Sequence, residues 1–244
     1  MIILRDEKRI ERMALIAKIT SFGGMAILLI GLALVFIVED FERVILLQLG
    51  ALFVGWMIAQ VGIYLMPRYG RHPRPDEVLD ETIRKVAKNG RLYHYILPAP
   101  HVLLTPQGII LFNLRPNIGK INVDGDDWRQ SGGFIKRFFG QEPIGNPSKE
   151  LEKMVEAMGN FIRKNAPSVE EVPMGALIVF TTKGATELDL KGSRLPALHY
   201  TKVKGFLKQQ KREPLAKADY EALLAAFTEK AGDLEEATYA GDSA

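Results

Sequence analysis

The sequence predicts an α/β protein in which an N-terminal two-helix transmembrane hairpin precedes a cytoplasmic mixed-sheet domain. Three observations predict it. Two uncharged apolar runs, residues 19–38 and 44–66, lie close together near the N-terminus. Cations flank the pair, while acids fill the turn between them. Beyond residue 76, short branched apolar runs alternate with amphipathic stretches at helical spacing.

Each apolar run meets the length of about 20 helical residues that a bilayer core of about 30 Å requires. Glu39-Asp40-Phe41-Glu42-Arg43 forms the turn. A signal peptide has a shorter apolar stretch and no second span after it. Arg5, Lys8, Arg9, Arg12 and Lys18 precede the first run, and Arg68, Arg71 and Arg74 follow the second. The cation bias predicts both termini on the cytoplasmic side, as in a bacterial inner-membrane protein with two spans. Neither run carries an Asp, Glu, Lys, Arg or His, which argues against an ion pathway through them. Trp56, Tyr64 and Tyr69 are candidate interfacial anchors, and Gly23-Gly24, Gly31, Gly50, Gly55 and Gly62 permit close helix packing.

The predicted divisions are a basic cytoplasmic segment at 1–18, the hairpin at 19–66, a linker at 67–75, the α/β domain at 76–212, a C-terminal helix at 213–232 and a fraying tail at 233–244. Two prolines, Pro73 and Pro75, stiffen the linker. Residues 76–86 read as a helix with Val78, Leu79, Thr82, Ile83 and Val86 on one face, ended by Asn89-Gly90. Residues 91–97, 101–104 and 109–114 read as strands, with Thr105-Pro106-Gln107-Gly108 as the turn of a hairpin. A short strand at 119–123 leads through Asp124-Gly125-Asp126-Asp127 to Trp128; that acidic turn lacks the spacing of a calcium loop. Residues 148–164 form an amphipathic helix, and 175–182 are apolar throughout, like a central buried strand. A strand at 198–203 and helices at 203–211 and 217–230 complete the order.

Composition narrows the function classes. Hydrophobic residues make up 47%, charged residues 25%, and mean hydropathy is +0.01, an average of an apolar N-terminal part and a polar remainder. Without cysteine there is no disulfide framework, Cys-ligated zinc or thiol nucleophile. A net charge of +3 is too small for a protein that coats nucleic acid. No phosphate loop, His-rich metal motif or nucleophile elbow occurs.

Several segments resemble the nuclease-related NERD domain, a family with a restriction-endonuclease-like fold. They are His101-Val102-Leu103-Leu104-Thr105-Pro106-Gln107-Gly108-Ile109-Ile110-Leu111, Gly119-Lys120-Ile121 before Trp128, Asn146-Pro147-Ser148-Lys149-Glu150, and Leu177-Ile178-Val179-Phe180. The resemblance implies a metal-dependent nuclease site with an Asp before the first strand, a Glu-x-Lys ending the second, and a Gln after the Asn-Pro. Those positions hold Pro100, then Asn113 and Arg115 around Leu114, then Glu150. Proline cannot ligate, Asn is a weak ligand for Mg²⁺, and Arg keeps its proton. The expectation is a nuclease-like fold without its catalytic site, with no cofactor and no metal.

Other features remain open at this stage. Lys202, Lys204, Lys208, Lys211 and Arg212 read either as a contact for nucleic acid or anionic lipid headgroups or as a solvated helix face. Phe134, Ile135, Lys136, Arg137, Phe138 and Phe139 lie between glycines and read as a loop that dips into the membrane interface, grips a protein partner or folds onto its own core. His94 and His101, with no acid beside them in the pattern, read as strand-packed rings, and Asp189-Leu190-Lys191 as a chance D-x-K. The functional expectation is a membrane-anchored, non-catalytic binding or scaffold protein, an accessory subunit whose partners are the bilayer and other membrane proteins or a second copy. The alternatives are a membrane-tethered nuclease with a rearranged site, using Glu150 with Glu77 or Glu81, and a nucleic-acid or anionic-lipid binding module.

Overall fold

The computed structural model describes residues 1–37, 40–131, 142–210, 212–232, 234 and 236–238. The chain divides into two compact units, one built of the N-terminal hairpin and one of mixed α/β structure.

In the hairpin unit, α1 (Glu7–Ala33) and α2 (Phe41–Leu65) are both long and apolar enough to cross a membrane. Asp40 caps α2, accepting from the amides of Glu42 at 3.1 Å and Arg43 at 3.3 Å. The buried residues of α1 are Ile10, Ala17, Gly24 and Gly31, one every seven positions. A seven-residue repeat keeps one seam facing the partner helix. Most of the glycines serve this seam. A Cβ on Gly24 would stand 2.9 Å from the backbone of both Gly55 and Ala59, one on Gly31 would strike Ala51, and one on Gly62 would strike Ser21. Gly23 and Gly50 face open space. Phe22, Leu29, Leu46 and Phe53 point outward and are well over half exposed. Past α2, a π-helical turn (Met66–Gly70) carries Arg68, whose guanidinium stacks on the Tyr64 ring at 3.9 Å and pairs with Glu142.

The α/β unit is built on a seven-stranded sheet. Its strands are β1 (Ile2–Arg5), β2 (Arg91–His94), β3 (His101–Thr105), β4 (Gly108–Arg115), β7 (Met174–Phe180), β9 (Ala197–His199) and β10 (Glu236–Thr238), in the spatial order β10-β1-β2-β3-β4-β7-β9. β1, β2, β4, β7 and β9 run one way, and β3 and β10 run the other. The helices are α3 (Pro75–Ile83), α4 (Pro147–Asn165), α5 (Tyr200–Gln209) and α6 (Lys217–Ala231). Period-two alternation divides the core. Ile109 and Leu111 of β4 join Ile178 and Phe180 of β7 under Leu151 and Met158 of α4 and Phe227 of α6. Phe112 and Leu114 join Leu177 and Val179 under Leu79 and Ile83 of α3 and Val203 of α5. A separate three-stranded sheet holds β5 (Lys120–Gly125), β6 (Asp127–Gln130) and β8 (Glu187–Ser193) in the order β6-β5-β8.

Four expectations need correction. The first five residues are not a free basic segment: Ile2–Arg5 is an inner strand, parallel to β2, and α1 begins at Glu7 rather than at the apolar run. Isolated sequence periodicity cannot reveal a four-residue strand whose partner lies beyond three helices. The tail contributes Glu236–Thr238 to the sheet edge. Residues 200–203 are helical, because α5 starts directly after β9. The first helix of the domain ends at Ile83, and it buries Asp76, Leu79, Asp80 and Ile83 while Val78 and Thr82 are half-buried.

Candidate functional site

Polar side chains gather at the carboxyl end of the parallel strands, on both faces of the sheet. Crevices outside the carboxyl ends of strands are where open α/β sheets bind ligands.

On the α4 face, β4 ends in Asn113 and Arg115, two residues apart and so on one side of the strand. Asn146 caps α4, accepting from the Lys149 amide at 2.9 Å, and Pro147 opens the helix. That cap sets Glu150 in the first turn, where the Arg115 Nη1 donates to its Oε2 at 2.7 Å. Arg115 also donates to the Ile144 carbonyl, and the Asn113 amide donates to the Pro147 carbonyl at 3.0 Å. Trp128 Nε1 donates to Ser148 Oγ at 2.9 Å and fixes the same helix start. Arg115 is 2% exposed and Glu150 is 44% exposed. Three of the four positions matched to the nuclease pattern therefore meet: Asn113, Arg115 and Glu150. Pro100 lies at the head of β3, its carbonyl accepting from the Tyr95 amide at 2.7 Å. A permanent cation lies against Glu150, the carboxylate that a metal ion would need. Among the described residues, no group of three or more His, Asp or Glu has the arrangement to hold a metal ion.

On the α3 face lies a chain of buried polar groups that sequence reasoning missed. Arg5, His94 and His101 are neighbours across β1, β2 and β3. Arg5 Nε contacts Asp76 Oδ2 at 2.9 Å, and its Nη2 pairs with Asp80. The other Asp80 oxygen, Oδ1, lies 2.8 Å from His94 Nε2. His94 Nδ1 lies 2.8 Å from His101 Nδ1, so one of the two rings donates and the other accepts. Asp76, Asp80, His94 and His101 are all buried. Beside them Tyr95 holds φ at 63°, a conformation that non-glycine residues seldom adopt, and its ring meets His101 edge-on at 4.8 Å. The histidines are strand-packed rings as expected, but they have an acid. Asp80 comes from a helix 14 positions earlier, and its helical spacing from Asp76 was the available signal.

Tyr93, on the other face of β2, has its phenol pKa raised by burial, against the lowering effect of Arg91.

The basic stretch does not form one stripe. Lys204 and Lys208, four apart, share a face of α5, while Lys202 lies beside a cleft next to β8 and β9. Arg212 lies beyond the helix, in a different cleft. Lys211 lies outside the described residues, as do Phe134, Ile135, Lys136, Arg137, Phe138 and Phe139. Asp189 and Lys191 are exposed on β8, and Asp126 and Asp127 pair with Arg194 and Arg129 in the β5–β6 turn. Comparison with known protein families, curated proteins and solved structures found no match to this chain.

Proposed function

We propose that the chain is a membrane-anchored, non-catalytic binding or scaffold protein, an accessory subunit whose α/β unit stands on the cytoplasmic side of an inner membrane. The observation that carries the non-catalytic part is Arg115. A buried guanidinium bonded to Glu150 and to the Ile144 carbonyl fills the space where the nuclease-like pattern would bind a cation. Two helices of sufficient length and outward apolar surface support the anchor. The pairing of β1 with β2 supports an even number of crossings, because residues before and after the hairpin join one sheet. The bias of cations outside the apolar runs supports the cytoplasmic side.

The test has two parts. Alkaline carbonate washing of membranes should leave the full-length protein in the pellet, and release into the supernatant would remove the anchor. Incubation with single- and double-stranded DNA and RNA in Mg²⁺ or Mn²⁺ should give no cleavage. Metal-dependent cleavage abolished by Glu150→Ala would establish the tethered-nuclease reading in its place.

A further inference from the structure

A second cleft lies at the opposite, amino end of the parallel strands, wholly within the α/β unit. It encloses about 330 Å³, within the usual range of small-molecule sites. Leu103 of β3, Ile110 of β4 and Leu207 of α5 supply apolar walls, and Lys85, Lys88 and Arg212 supply three cations. Among the described residues, no acidic side chain lines it. Among the described residues, none of the three cations forms an ion pair, in contrast to Arg5, Arg115 and Arg194. Glycines shape it. A Cβ on Gly90 would meet the Leu103 side chain at 2.8 Å, and one on Gly175 would meet the Arg212 guanidinium at 3.0 Å. Gly175 thus leaves room for that guanidinium to lie against the sheet.

We propose that this cleft binds a single anionic amphiphile, a molecule with a carboxylate or phosphate head and an apolar tail. The walls match a tail, because burying apolar surface there removes it from water. The cations match a head, because a charge-assisted bond from Arg or Lys is stronger than a neutral one. Both halves are needed: three uncompensated cations would recruit any anion, and the apolar walls select one that carries a chain. The inference goes beyond the membrane-anchored scaffold reading and stands without it.

The probe is radiolabelled decanoate, dialysed to equilibrium against the full-length protein in phosphatidylcholine nanodiscs, with binding to empty nanodiscs subtracted. Wild type should bind decanoate saturably, one per chain. Decanol, which lacks the charge, and inorganic phosphate, which lacks the tail, should each bind at least about tenfold more weakly, a step of about 1.4 kcal/mol. The double variant Lys88→Gln/Arg212→Gln should lose decanoate affinity by about tenfold or more while keeping its far-ultraviolet circular dichroism. Phosphate bound as tightly as decanoate would overturn the proposal in favour of a plain anion site. The cations could instead serve only to neutralise the carboxyl ends of α3 and α5. In that case the double variant would melt at lower temperature yet bind decanoate unchanged, which also overturns it. In the supporting case, displacement of decanoate by phosphatidylglycerol in the disc identifies a membrane lipid as the source of the head. Retention of decanoate identifies a soluble acid.

Discussion

Arg115 and Glu150 share an ion pair but not an environment, and that difference decides what each removal costs. Arg115→Ala empties a buried volume and strands the Ile144 carbonyl; chemical denaturation should show a loss of about 2–4 kcal/mol. Glu150→Ala leaves a guanidinium that water can reach from the exposed side, and the loss should be nearer 1 kcal/mol. Equal losses would mean that the pair is more enclosed than its geometry indicates. Tyr93 sets a pH dependence. Its folded pKa is raised, so its contribution is fully present below the unfolded value of about 10 and is lost as pH rises through the folded value. Tyr93→Phe should therefore flatten the decline of stability above about pH 10, measured by denaturant midpoints across that window. A wild-type slope retained in the variant would assign the decline to other groups. That Arg115 is no metal ligand was legible from residue type alone, since no environment makes a guanidinium one. The Asp80–His94–His101 chain was not legible, because its members meet only through strand pairing and helix docking.

The elements were legible in proportion to their regularity. The two long apolar helices, the 101–115 hairpin and the Asn146-capped helix each carry a local signal: length, a turn, a cap. The α3 helix carried a misleading one. Its apolar residues suggest a face through Val78 and Thr82, but Arg5 and His94 supply partners for Asp76 and Asp80 and turn those carboxylates inward. The seam of the hairpin gives a prediction at this scale. Gly24→Leu forces apart backbones in direct contact and should lower the thermal midpoint in detergent by several degrees or abolish a cooperative transition. Gly23→Leu, one position away and facing open space, should leave the midpoint within about a degree of wild type. Similar effects of the two would mean that the helices do not pack through this seam.

At the scale of the whole molecule, the α/β unit is discontinuous, and that was hidden from any reading that proceeds along the chain. The strand that precedes the hairpin and the helix that follows it are joined by the Arg5–Asp76 ion pair. Replacing residues 7–74 by a short glycine–serine linker should therefore give a soluble protein with a cooperative melt. A fragment starting at Pro75 should melt lower or aggregate, because β2 loses a parallel neighbour and exposes its edge. Equal melting of the two would show β1 to be dispensable. The same arrangement sets an order of events during synthesis. β1 leaves the ribosome long before β2, with both long helices made in between. On the proposed two-span reading, it can dock only if the hairpin has returned the chain to the compartment it started from. On that reading a nascent chain threaded with the wrong number of crossings would leave its first strand on the far side, with β2 unpaired and open to proteolysis. The four-residue strand would then make completion of the sheet a checkpoint on insertion.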